Sequence, residues 1–183
     1  PLVRGLDFHL YGDYGLNVFN SRSLAYLKDK ELESACVSFE LRFAQIRDLK
    51  KVLRAEAIVY GRLPLMITEN CLVQNETGCR LNRQGPCVPE DGPCRCGQPN
   101  VLVDRTGAAF PLLPAYGHRT EIQNSKPLYL ADRPEHRRLG LAYARLRFTT
   151  ETAEECVSVV QNYLDAAPAA GDFTRGLYER GVE

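Results

Sequence analysis

Leu6, Phe8 and Leu10 alternate with polar or small residues, a period of two that predicts a strand ending near Gly12. Ser21 or Ser23 then caps a short helix running to about Lys30. Ala35 to Glu40 reads as a compact strand. Phe43, Ile46, Leu49 and Leu53 recur at helical spacing, with Arg42, Arg47, Lys50, Lys51 and Arg54 on the wet side. Ala57 to Tyr60 is a further strand, closed by Gly61.

The pattern changes after Pro64. From there to Asn100 the chain is rich in Gly, Pro, Asn and Cys and shows little periodicity, so the expectation is an irregular segment held by something other than regular structure, such as a metal. Val101 to Asp104 and Ala109 to Leu113 flank a turn at Arg105-Thr-Gly107 and predict a β-hairpin, with Pro111 at an edge. Arg119 to Gln123 predicts a short strand, Leu128 to Arg138 a helix interrupted by Pro134, and Leu141 to Phe148 a strand. Thr149 or Thr150 then caps a helix with Glu151, Glu154 and Glu155 in its first turns. Ala153, Cys156, Val157, Val160 and Leu164 would be its core stripe, and Pro168 ends it. The tail from Phe173 is expected to be irregular.

Strands alternating with helices imply parallel strands and an α/β fold. About five such units are present, where a closed eight-stranded barrel needs about three more strands. The expected organisation is residues 1–61 as strand–helix units, 62–100 as a cysteine-rich insertion, and 101–183 as a hairpin and further units of the same domain.

Composition narrows the chemistry. The chain has 183 residues and carries 23 basic and 23 acidic side chains, a balance that gives no support to a dedicated nucleic-acid binder. No apolar run has the length of a membrane-spanning helix, and the expected compartment is the cytoplasm. The first residue is Pro1, which reads as a cut through a longer polypeptide.

Five of the seven cysteines fall between positions 71 and 96. In a reducing compartment such clustering points to metal binding or catalysis. Cys71 and Cys79 are spaced C-x7-C, Cys87 and Cys94 follow, and Cys94 and Cys96 form C-x-C. These spacings match neither a zinc ribbon nor a ferredoxin, so spacing leaves zinc and iron–sulfur both open. A disulfide network and free thiols are the bland alternatives. Cys36 and Cys156 sit on apolar faces and are expected to pack as small hydrophobes. His118 is a candidate ligand or general base, although a plain structural histidine is commoner.

In a parallel α/β fold, residues at the C-terminal ends of strands face the functional side. That rule favours Asn17, Asn20, Glu40 and Arg62 as catalytic candidates over Glu56, which begins a strand. The chain lacks G-x-S-x-G, H-E-x-x-H and a phosphate-binding glycine loop, so a conventional serine or zinc protease mechanism has no residues to stand on.

Several segments in order resemble peptidase family U32, the collagenase-like peptidases. Glu56 to Met66 followed by Cys71, Gly78 and Cys79 resembles that family's signature region. Gly12 to Ser21 and Val37 to Leu41 resemble its preceding strands, and Ile122 to Ser125, Arg145 to Thr149 and Phe173 to Tyr178 its later segments.

The resemblance implies a TIM-like barrel of which this chain holds the later strand–helix units, the upstream strands being missing partners. It implies a peptidase by family name. By better-understood relatives it implies a hydroxylation factor for RNA (transfer or ribosomal) or an aromatic small molecule, with a 4Fe–4S cluster on cysteines. A peptide or RNA substrate and a protein partner follow from it, and a non-catalytic zinc-stapled fragment is the remaining reading. Carried across, Cys71 and Cys79 match the first ligand pair and the third falls at Cys96 or Cys94. His118 stands where relatives often have a fourth cysteine, which leaves Cys94, Cys87 and His118 as alternatives, or a lost cluster.

Overall fold

The computed structural model describes residues 8–77, 95 and 98–181 of the chain. It is a mixed α/β structure that divides into two compact units. The first takes the described residues of Pro1–Gly61, Leu128–Phe148 and Ala153–Glu183, and the second those of Arg62–Pro127 and Thr149–Thr152.

The first unit is built on parallel strands. β1 (Tyr11–Gly12) pairs with β2 (Ser34–Cys36), β2 with β3 (Arg54–Gly61), and β3 on its other side with β9 (Tyr143–Arg147). A short strand, β8 (Leu128–Tyr129), runs antiparallel to the end of β3. α1 (Ser21–Asp29) connects β1 to β2, and α2 (Phe43–Asp48) connects β2 to β3. Each helix contributes a fully buried anchor, Leu24 and Ile46. β3 is buried along seven of its eight residues, as expected of a central strand covered on both faces.

α4 (Ala153–Asp165) is fastened to this unit by Tyr163, whose hydroxyl donates to the carbonyl of Val59 and accepts from the amide of Leu130. Its ring meets Tyr60 and Tyr129 edge-on, at 6.2 and 5.6 Å. The inward residues of α4 are therefore Val159 and Tyr163. The expected stripe is displaced: Val157 and Leu164 are each 71% exposed and Val160 is 41% exposed. A tyrosine that can bury its ring while satisfying its hydroxyl outcompetes a face of smaller aliphatics.

One further expectation is corrected. Leu128 to Arg138 is not an α-helix: its start pairs with β3 as β8, and only Pro134–Arg138 coils, as a 3-10 turn with proline at its beginning. Proline disfavours helical backbone in the residue before it, which explains the break. The described tail is irregular, as expected, and it is anchored. Tyr178 is 1% exposed, stacks on Phe43 at 5.3 Å, and donates its hydroxyl to the carbonyl of Ile58 at 2.6 Å.

The second unit is an antiparallel sheet in the order β4–β7–β6–β5, formed by β4 (Pro64–Thr68), β7 (Arg119–Gln123), β6 (Ala109–Ala115) and β5 (Asn100–Val103). The hairpin β5–β6 is present as expected. β6 is an inner strand, but its register with β7 begins at Leu112, so Pro111 is paired on the β5 side alone. The segment from Pro64 is more regular than its composition implies, since β4 and α3 (Leu72–Thr77) precede the residues that are not described. Among the described residues neither sheet closes into a barrel, and no helix is long and apolar enough to cross a membrane.

Candidate functional site

Two places concentrate chemistry, one in each unit. In the second unit, register decides which loops meet. β4 ends at Thr68 opposite Thr120, and β6 ends at Ala115 opposite Arg119. β5 enters at Asn100 opposite Leu112. The turn carrying Cys71 and the β6–β7 turn carrying His118 therefore lie at the same end of the sheet, and β5 enters at mid-sheet, running away from that end.

The Cys71 turn is held firmly there. Thr120 Oγ1 accepts from the amide of Leu72 at 3.1 Å and donates to the carbonyl of Asn70 at 3.3 Å, while Thr68 Oγ1 donates to that same carbonyl at 2.6 Å. Arg119 pairs with Glu69 at 3.0 Å. The approach to β5 is fixed by Asn100, whose amide nitrogen donates to the carbonyls of Arg95 and Gln98. Cys71 itself is 8% exposed and carries a free thiol. His118 is half-buried, with a left-handed backbone at φ +62°.

Cys79, Cys87, Cys94 and Cys96 lie outside the described residues. Among the described residues no group of three or more His, Cys, Asp or Glu side chains is placed to hold a metal ion. The donor chemistry nonetheless fits a thiolate-bound metal. A buried cysteine stands at the start of a thiol-rich stretch of sequence, in a turn at the same end of the sheet as the histidine turn.

In the first unit the parallel register lines up one polar row. Cys36 lies beside Glu56, Glu56 beside Tyr143, and Arg145 beside Ile58. Arg145 Nη2 binds Glu56, and Arg145 Nη1 binds Asp13. The side chains of Glu56, Arg145 and Asp13 are 12, 28 and 64% exposed, so the pairing grades from interior to solvent. Asp13 also accepts from the amide of Tyr14 at 2.7 Å. Arg147 sits over the Tyr14 ring at 5.3 Å and donates to its hydroxyl at 3.3 Å. Cys36 is fully buried, and burial pushes its thiol up to about 12, so it stays protonated at neutral pH.

The four strand-end candidates have these positions. Asn17 adopts a left-handed backbone at φ +46° after the 3-10 turn Tyr14–Leu16. Asn20 caps α1, its side chain accepting from the amide of Ser23 at 2.9 Å. Glu40 is half-buried, and its amide donates to Ser38 Oγ at 3.3 Å. Arg62 belongs to the second unit and donates to the carbonyls of Asn124 and Ser125 and, at 3.4 Å, to Thr150 Oγ1.

Asp13, Glu56 and Arg145 escaped the strand-end rule. The signal that finds Glu56 is a carboxylate flanked by Ala55 and Ala57 in a strand that reads as buried, since a charge there demands a partner.

Peptidase family U32 matches residues 4–104, more than half of the chain. The chain belongs to this family. No curated protein and no solved structure matches it. The U32 match spans Asp13, Cys36, Glu56 and all five clustered cysteines; Arg145 and His118 lie beyond it.

Proposed function

We propose that this U32 protein is a thiolate–metal enzyme whose centre is a 4Fe–4S cluster, and that it serves in oxidative modification of RNA or of an aromatic small molecule. The supporting observation is that the buried Cys71 turn and the His118 turn lie at one end of the second unit's sheet, with β5 running away from that end. Cys71, Cys79, Cys96 and Cys94 would hold the cluster, with Cys87 or His118 as the alternate to Cys94. Bound there, the cluster supplies one-electron chemistry, whereas zinc at the same residues would only staple the segment. The Thr120 hydroxyl and the Arg119–Glu69 pair fix the turn from which Cys71 projects.

Peptide hydrolysis is the weaker reading because the sequence has no G-x-S-x-G or H-E-x-x-H to supply a conventional serine or zinc protease mechanism. Free thiols at Cys36, Cys71 and Cys156 favour a reducing compartment, and we place the protein in the cytoplasm. In the whole protein, β1, β2, β3 and β9 would be the later strands of a TIM-like barrel completed by upstream strands.

The test is the full-length protein purified anaerobically beside its Cys71→Ser and Cys79→Ser variants. Both variants should lose their metal while keeping the wild-type circular dichroism spectrum. Full metal retention in both would overturn the ligand set. Gelatin should survive incubation with the wild type, and cleavage that persists through clean purification would overturn the oxidative reading in favour of proteolysis.

A further inference from the structure

Cys71 is held from both sides by one hydroxyl. Of the two peptide planes that meet at its Cα, one carries the carbonyl of Asn70 and the other the amide of Leu72. Thr120 Oγ1 donates to that carbonyl at 3.3 Å and accepts from that amide at 3.1 Å. Each peptide unit is planar, so backbone freedom at a residue is confined to the two torsions between its flanking planes. Pinning both planes to one atom fixes those torsions and, with them, the direction of the Cα–Cβ bond. The side-chain torsion is then what remains to place Sγ.

The neighbouring contacts differ from this clamp in kind. Thr68, opposite Thr120 across β4 and β7, donates its own hydroxyl to the Asn70 carbonyl at 2.6 Å. That bond is shorter, but it restrains only the plane before Cys71. The Arg119–Glu69 pair is 45 and 80% exposed at its side chains and contributes little in water. Thr120 is 2% exposed, so its hydrogen bonds are made away from bulk water. It stands on β7, an inner strand paired with both β4 and β6, and its β-branched side chain has restricted rotation. The atom that pins Cys71 is thus itself fixed, on the strand that begins immediately after His118.

We propose that Thr120 is the positioning residue for Cys71, its hydroxyl setting the backbone of that cysteine so that the thiolate meets a metal. The assignment rests on the metal-centre reading of the second unit and adds the residue that tunes the affinity of that centre. A thiolate must reach a metal to within a few tenths of an ångström, and groups that orient a ligand without touching the metal typically change affinity by about 10- to 100-fold.

The full-length protein, purified anaerobically with its metal, should be titrated with EDTA beside Thr120→Val, Thr120→Ser and Thr68→Val. Thr120→Val keeps the side chain's shape and removes the hydroxyl, and it should lose half its metal at an EDTA concentration about tenfold below that of the wild type. Thr120→Ser returns the hydroxyl and should return the midpoint. Thr68→Val leaves both planes pinned and should stay close to the wild type; a shift as large as that of Thr120→Val would mean that both threonines merely stabilise the turn, and would overturn the assignment. Hydrogen exchange of the Leu72 amide is a readout that needs no metal: it should be slow in the wild type and in Thr68→Val, and faster in Thr120→Val. A Leu72 amide that exchanges in the wild type as freely as an unstructured one would overturn the clamp even where the valine variant does not fold. A metal-loaded wild type with an unchanged midpoint in Thr120→Val would overturn this assignment alone, whereas a wild type without metal would overturn it together with the metal centre.

Discussion

Glu56 has alanines on both sides in β3, so its carboxylate enters the interior without company from its own strand. Its partner comes from β9, 89 residues later in the chain. Replacing it with alanine leaves Arg145 with one buried donor unpaired and should cost about 3 kcal/mol in urea unfolding, typical of breaking a buried pair from one side. A loss indistinguishable from that of a surface substitution would contradict the pairing. Cys36 makes a complementary prediction. Fully buried and held protonated, it should resist iodoacetamide in the native protein at pH 8 and react only on unfolding. His136 is buried beside Tyr163, and burial lowers its affinity for a proton. The unfolded chain then protonates first, so stability falls as pH drops below about 6.5. His136→Gln should flatten stability between about pH 7 and 5, and an unchanged slope would refute that assignment. At this scale the sequence showed each residue's type but not its partner. Arg145 stands in an alternating strand that reads the same whether its guanidinium meets water or Glu56.

Strands were the most legible elements where one period dominated. β3, β7 and β9 stand where strands are expected, and α1 runs where its helix is expected, although Asn20 caps it rather than Ser21 or Ser23. The failures have local causes. Pro64 and the glycines and cysteines beyond it hid β4, although Leu65, Met66 and Ile67 form a short apolar run. On α4 the aliphatics outnumber Tyr163, yet the tyrosine's two hydrogen bonds choose the inward face. β3 depends on one backbone feature. Gly61 has φ +119°, and a Cβ there would lie 2.0 Å from the carbonyl oxygen of Arg147. Gly61→Ala should therefore destabilise the first unit by more than about 2 kcal/mol in thermal or urea unfolding. A neutral effect would mean that β3 and β9 do not approach as described.

Across the whole molecule, alternation of strands and helices correctly announced an α/β chain with parallel strands. It could not announce that β4, β5, β6 and β7 pair among themselves as an antiparallel sheet, because hairpin partners are set by register rather than by composition. That register also makes sense of the cysteine positions. The Cys71 turn stands at the same end of the sheet as the His118 turn, and β5 runs away from that end. The most direct measurement is the iron and acid-labile sulfide content of the anaerobically purified full-length protein. The account predicts close to four of each per chain. A colourless protein with stoichiometric zinc and no sulfide would contradict it.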